Sequence, residues 1–358
     1  MIDLRLGDCL DVLATLPDAS VDAIITDPPY FSTGKAAVGD RQWRTATAYL
    51  DWLGSLCEQW RRVLRPNGSL YCFASPAMAA RVEVRIAEYF DVLSRITWRK
   101  EAGRHKSAHK EGLRAWFPAS EAIIFAEQRG SDSMALGESG YASQCERLHG
   151  FVFEPLRAYF EGERNRCGIS SREIMDGMYA RTGIRYTFAN HTFSQSQWEF
   201  PTPQQYDAAR DLFNAHAEGD YLRREYEDLR REYEDLRREY DYLRREYEDL
   251  RRPFSVTADV PYIDVWDFPT VAYYPGKHPC EKPGALLRHI ISASTRPGAV
   301  VLDCFLGSGA SAIACLETGR SCIGVDMDLK YFGQARSNIA AAQTRMGIIQ
   351  HPLIATTA

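Results

Sequence analysis

Short apolar runs alternate with helix-patterned segments at both ends of this chain, and the rhythm fails over one long central span. Val21–Thr26 is such a run, stopped by Asp27-Pro28-Pro29-Tyr30, and reads as a buried strand. Ala48–Leu64 has helical spacing closed by Arg65-Pro66-Asn67-Gly68, and Ser69–Ala74 is the next strand. Ile96–Trp98 and Ala122–Ala126 are further strands. Toward the far end, Ala299–Asp303 predicts a strand, Ala310–Thr318 a helix and Ser321–Asp326 a strand, before a terminal helix from Leu329. Strand–helix alternation of this kind predicts an α/β, Rossmann-like sheet, mostly parallel and doubly wound, with helices on both faces. From about 129 to 252 helical and polar segments replace it, so that span reads as an insertion.

Within the insertion, Leu-Arg-Arg-Glu-Tyr-Glu-Asp recurs almost unchanged from Leu222 to Asp249. Tyrosine and leucine alternate at four- and three-residue spacings, a heptad with tyrosine at a and leucine at d. Arginine at e and glutamate at g favour parallel self-pairing, which predicts a coiled-coil homodimer; the alternative is a spacer helix of roughly 45 Å. Arg224–Asp228 and Glu227–Arg231 have the i,i+4 spacing of ion pairs. Upstream, Glu154–Arg166 predicts a helix ending near Gly168, and Ser170-Ser171-Arg172-Glu173 is a capping box for another, ending around Thr182-Gly183. With a third helix over Arg185–Phe193, this spacing suits a helix-turn-helix; the alternative is a helical lid or dimer surface.

Composition excludes several classes. No run approaches the length of a membrane helix, and the beginning lacks a signal peptide's basic and apolar regions, so a cytoplasmic protein with no membrane partner is expected. Nine scattered cysteines without a CxxC pair predict neither a disulfide framework nor a metal site. The formal charge of -5 argues against a wholly basic nucleic-acid binder, but charge can be local. Arg95, Arg99, Lys100, Arg104, Lys106, Lys110 and Arg114, with His105 and His109, form one basic stretch opposed by Glu101 and Glu111.

Two motifs carry the chemistry. After the Val301–Asp303 strand segment comes Cys304-Phe305-Leu306-Gly307-Ser308-Gly309, with Asp326 some 17 positions beyond Gly309. Glycines after a strand let the backbone approach a ligand, and an acidic residue beyond can accept hydrogen bonds from ribose hydroxyls. In Asp27-Pro28-Pro29-Tyr30, the Asp27 carboxylate and a main-chain carbonyl can accept the two hydrogens of an exocyclic amine. That frees a lone pair otherwise delocalised into a base. The prolines hold carbonyls outward with no competing N–H, and the Tyr30 ring can stack on the base.

Together these motifs resemble the S-adenosylmethionine-dependent DNA amino-methyltransferases, in the circularly permuted, beta-type group whose catalytic motif precedes the cofactor motif. The resemblance rests also on Leu6-Gly7-Asp8-Cys9-Leu10, Leu16-Pro17-Asp18, Ile96–Lys100, Glu121–Ala126 and Lys277-His278-Pro279-Cys280-Glu281-Lys282-Pro283, and covers roughly 1–128 and 260–340. The family usually has proline where Cys304 stands and a Thr-Thr pair near Ala310-Ser311.

The resemblance implies that Asp303, Phe305, Gly307 and Gly309 line S-adenosylmethionine, with Asp27 beside it and Asp326 at its ribose. Asp8 would lie near its adenine, and His278 and Lys282 near its methionyl carboxylate. Cys280 is structural, because amino methylation needs no covalent nucleophile. An aspartate heading the catalytic motif favours adenine N6 over cytosine N4. Other readings are an RNA or protein amide methyltransferase, and a non-catalytic DNA-binding regulator retaining the cofactor fold.

The expected division is a catalytic half at 1–128, a target-recognition insertion at 129–220, the heptad helix at 221–252 and a cofactor half at 253–358. Double-stranded DNA is the expected partner, with the basic stretch on phosphates. Arg185, Asn190, His191 and Gln195 are the candidate base readers. The enzyme would serve modification alone, either solitary or beside a separate restriction endonuclease.

Overall fold

The computed structural model describes residues 1–31, 42–100, 114, 116, 118–129, 141–183, 191–193, 198–247, 252–255, 263–347 and 354–357. The chain divides into two compact units, one made of residues 1–136 and 252–358, the other of residues 137–251.

Among the described residues, the first unit has nine strands: β1 (Ile2–Leu6), β2 (Val21–Thr26), β3 (Leu64–Ala74), β4 (Phe90–Arg99), β5 (Ser120–Gln128), β6 (Val265–Asp267), β7 (Val300–Asp303), β8 (Ser321–Asp326) and β9 (Ile354–Thr357). They lie in the order β6-β4-β5-β3-β2-β7-β8-β1-β9. All neighbours run parallel except that β5 opposes both β3 and β4. The fold is a mixed α/β, Rossmann-like sheet.

The central strand β2 is apolar almost throughout because both of its faces are covered. Ile24 faces a core with Leu53, Leu56 and Trp60 of helix Ala46–Val63 and Val82 of helix Ala79–Ala87. Ile25 faces the opposite core, with Leu286 and Ile290 of helix Gly284–Ser294 and Ile339 of helix Leu329–Arg345. Cys304, where the resembling family usually has proline, lies buried under Trp60, whose indole N–H donates to its Sγ at 3.2 Å. No described helix is long and apolar enough to cross a membrane.

The second unit holds helices Tyr141–Val152, Glu154–Cys167, Ser171–Thr182, Pro203–His216 and Tyr226–Tyr247. The expected stop signals operate: Gly168 and Gly183 both take left-handed φ after their helices, and Ser170 and Glu173 cap reciprocally. Thr202 and Gln205 form a second capping box, with Pro203 at the first helical position, so this unanticipated helix has a start signal that the sequence carries plainly.

The helix starts later than the heptad repeat does. The helix begins at Tyr226, because Leu222 has a φ of 52° and turns inward into the unit's own core. Leu229 is fully buried in the same core. Tyr233 stacks on Phe200 at 4.7 Å, and Tyr240 packs against Phe153 and His149. Leu229, Tyr233 and Tyr240 of the a/d stripe thus pack within this unit's own core. Arg224 pairs with Glu232 rather than Asp228, and Arg231 with Asp228 rather than with the Glu227 carboxylate.

Truncating Leu229 to alanine should destabilise this unit by about 2–5 kcal/mol and leave the native oligomeric mass unchanged. Hydrogen exchange across 154–213 and light scattering measure the two. A change of assembly with undiminished protection would restore the intermolecular seam.

Candidate active site

Parallel strands deliver their carboxyl ends to one edge of a sheet, and here four neighbours, β2, β7, β8 and β1, each end in a polar motif. Asp27-Pro28-Pro29-Tyr30 follows β2, Asp303 ends β7, Asp326 ends β8 and Gly7-Asp8 follows β1. These four strand ends enclose an open cleft. Asp8, Asp27, Pro28, Pro29, Tyr30, His278, Phe305, Gly307 and Asp326 line it, together with Trp52, Met327, Asp328 and Tyr331.

The glycine loop is held by carboxylates. Asp303 Oδ1 accepts the Phe305 N–H at 3.0 Å and Oδ2 accepts the Ser311 hydroxyl at 2.5 Å. Asp326 accepts the N–H groups of Gly307 at 2.8 Å and Asp328 at 2.9 Å. Gly307 has positive φ, and a side chain there would meet the His278 ring at 3.1 Å. Gly309 also has positive φ, but it presses on Ala335 and Ile339 and does not line the main cleft. Its role is close packing of loop against helix. Asp303 likewise sits in a smaller side cavity beside Asp27 and Lys282. Asp8 caps helix Cys9–Thr15 while facing the cleft.

At the other wall lies a buried network of charge. Lys282 Nζ donates to Asp27 Oδ2 at 2.5 Å and to the Tyr30 hydroxyl at 3.2 Å. It is also 3.3 Å from Glu121 Oε2, which accepts the Tyr30 O–H at 3.1 Å. The ammonium sits 4.8 Å from the Phe73 ring centre and 5.4 Å from that of Tyr30. Lys282, expected beside a methionyl carboxylate, is thus bound to Asp27 and Tyr30. Asp27 Oδ1 is buried and has no hydrogen-bond partner among the described residues.

A family description of DNA methylases, N6_N4_Mtase, matches residues 21–337, a span that includes both Asp27–Tyr30 and the glycine loop. The chain belongs to this DNA methylase family. The DNA adenine methyltransferase YhdJ of Escherichia coli (strain K12) is 24% identical over 94% of this chain and 82% of its own. A Thermus thermophilus protein crystallised in complex with S-adenosyl-L-methionine superposes with a TM-score of 0.50, at 18% identity, over 99% of this chain and all of its own. That likeness concerns the fold.

The electrostatics of the methylase site follow from burial and pairing. Burial pushes the Asp27 carboxyl above its ordinary range, Lys282 opposes the shift and Glu121 adds to it. Burial works against the Lys282 charge, but Asp27 and Glu121 outweigh it and raise its pKa. Glu121 is held low because Lys282 and Lys100 overcome its own burial. Burial also raises Asp303, to about 6, and lowers His278.

Among the expected DNA contacts, Arg99 is ion-paired with Asp267, Lys100 with Glu121 and Arg95 with Glu83. His191 is half-buried, 3.6 Å from Glu199. Arg104, Lys106, Lys110, Arg185, Asn190 and Gln195 lie outside the described residues. Trp52, Tyr331 and the Glu121 carboxylate join the site without a signal in either motif. Trp52 stands in the first turns of its helix with its ring 5.8 Å from that of Phe305, a placement only the fold reveals.

The raised Asp303 pKa has a consequence for stability. A carboxyl that titrates near 3.8 unfolded and about 6 folded contributes fully below pH 3.8 and loses that contribution as pH rises through 6. Asp303→Asn should remove this loss, on the order of 3 kcal/mol, seen as a flatter denaturation-midpoint profile between pH 4 and 7. A variant profile parallel to the wild type would mean that Asp303 is not the titrating group.

Proposed function

We propose that this methylase transfers the methyl group of S-adenosylmethionine to the N6 amine of an adenine turned out of double-stranded DNA. The observation carrying the reading is Asp27 Oδ1, a buried carboxylate oxygen with no partner among the described residues, on a residue that lines the cleft. Buried acceptors are normally satisfied, so an orphan at this place is suited to a hydrogen of the substrate. Asp27 Oδ1 and the Pro28 carbonyl would take the two amine hydrogens, drawing the nitrogen toward tetrahedral geometry. The Tyr30 ring would hold the extruded base by stacking, offsetting the few kcal/mol that extrusion costs. Positioning then supplies much of the acceleration.

The cleft fits the methyl donor. Trp52 and Phe305 offer aromatic faces for an adenine, and Asp326 keeps lone pairs for ribose hydroxyls although each oxygen already accepts one N–H. His278, beside the glycine loop, would stand toward the methionyl end. When bound, the donor supplies an electrophilic methyl carbon. Adenine is favoured by the aspartate heading the catalytic motif and by the activity named for the Escherichia coli relative. Cytosine N4 is the second reading, because the same two acceptors fit its amine. Phosphate contacts are assigned to the basic stretch of Arg99, Lys100, Arg104, Lys106, Lys110 and Arg114. Base reading is assigned to the 137–251 unit.

Asp27→Ala should reduce methyl transfer to DNA by at least about 10²-fold while leaving S-adenosylmethionine binding within a few-fold. Radiolabel incorporation, calorimetry and nucleoside chromatography of the product test the reading together. N4-methylcytosine as product would reverse the base assignment, and an active Asp27→Ala enzyme would remove the mechanism.

A further inference from the structure

We propose that Glu121 is a positioning residue of the transfer: it shares the charge of Lys282 with Asp27 and thereby keeps Asp27 Oδ1 a strong acceptor for the target amine. The inference rests on the methyl-transfer reading above.

The placement comes from strand direction. β5 runs against β3, so its first residues reach the sheet edge where β2 and β7 end, and Glu121 pairs in register with Trp98 of β4. Its carboxylate, 12% exposed, receives the Tyr30 hydroxyl and faces both Lys100 and Lys282. The three hydrogens of the Lys282 ammonium thus have three oxygens around them: Asp27 Oδ2, the Tyr30 hydroxyl and Glu121 Oε2. Were Asp27 its sole anion, Lys282 would draw the carboxylate charge toward Oδ2 and weaken Oδ1. Glu121 pulls the other way, and the same carboxylate fixes the tilt of the Tyr30 ring.

The other titratable groups around Asp27 do not compensate. Burial keeps Tyr30 and Cys72 protonated and His278 neutral, and Asp303 spends its oxygens on the glycine loop.

The test follows the Asp27 carboxyl directly, by 13C-aspartate resonance titration of the full-length enzyme without donor, assigned by Asp27→Asn. Single-turnover transfer to methyl-deficient genomic DNA is measured alongside. In Glu121→Gln, which preserves shape and the acceptor for Tyr30, the Asp27 midpoint should fall. The transfer rate should drop roughly tenfold, with KM for S-adenosylmethionine unchanged. In Lys100→Met, which frees Glu121 to engage Lys282 more fully, the midpoint should rise. An unmoved Asp27 midpoint in Glu121→Gln, or one that fails to rise in Lys100→Met, overturns the proposal. The second arm decides alone if Glu121→Gln does not fold. A wild-type enzyme that methylates no DNA overturns the methyl-transfer reading instead, whatever the midpoints do.

Discussion

The contact on which the site depends is the ion pair between Lys282 and Asp27, residues 255 positions apart. Both groups are largely buried, and an isolated charge so placed would cost several kcal/mol. Each is tolerable only because the other is there, together with Glu121 and Lys100 to bring the local sum of charge to zero. The pair therefore fastens the beginning of the sheet to the segment that leads into helix Gly284–Ser294. Removing one partner would leave an uncompensated charge among Phe73, Tyr30 and Trp98.

Sheet topology makes that contact possible. β2 and β7 are neighbours in space although the 137–251 unit and more lie between them in sequence. Their parallel pairing brings Asp27 and Asp303 to one edge, and the reversed β5 adds Glu121 to the same edge from the opposite direction. Where the chain leaves and re-enters this unit, Glu127 and Arg252 form an ion pair, each 11% exposed. Arg252 also lies over the rings of Phe125 and Phe254. The long excursion thus returns to a fixed point next to the strand it left, and the sheet is completed as though uninterrupted.

Local signals are legible in the sequence and partnerships are not. Val21–Thr26 and Ser321–Asp326 are strands over those residues, and the terminal helix starts at Leu329, because buried period and terminators are local properties. The same holds for the Ser170 capping box and the two helix-ending glycines. The contact of Lys282 with Asp27 is invisible in the motif, because nothing in His278-Pro279-Cys280-Glu281-Lys282 indicates which carboxylate the lysine meets. The heptad gives an apolar stripe but no partner: periodicity specifies a face, and Phe153, Phe200 and Trp198 pack on Tyr233 of that face from within the chain. What the motif positions of Asp303 and Gly309 do not reveal is that Asp303 accepts from Phe305 and Ser311 and that Gly309 presses on Ala335 and Ile339.

The Asp27 carboxylate divides its labour between two oxygens. Oδ2 is committed to Lys282, which fixes the group's orientation and opposes the upward shift that burial imposes on it. Oδ1 is left unsatisfied among the described residues, and a buried acceptor in that condition costs about 1–3 kcal/mol of folding free energy. A well-packed neighbour could remove the cost by donating a hydrogen bond. The ion pair and the orphan oxygen are thus one device. The first supplies the rigidity that lets the second persist without a partner among the described residues.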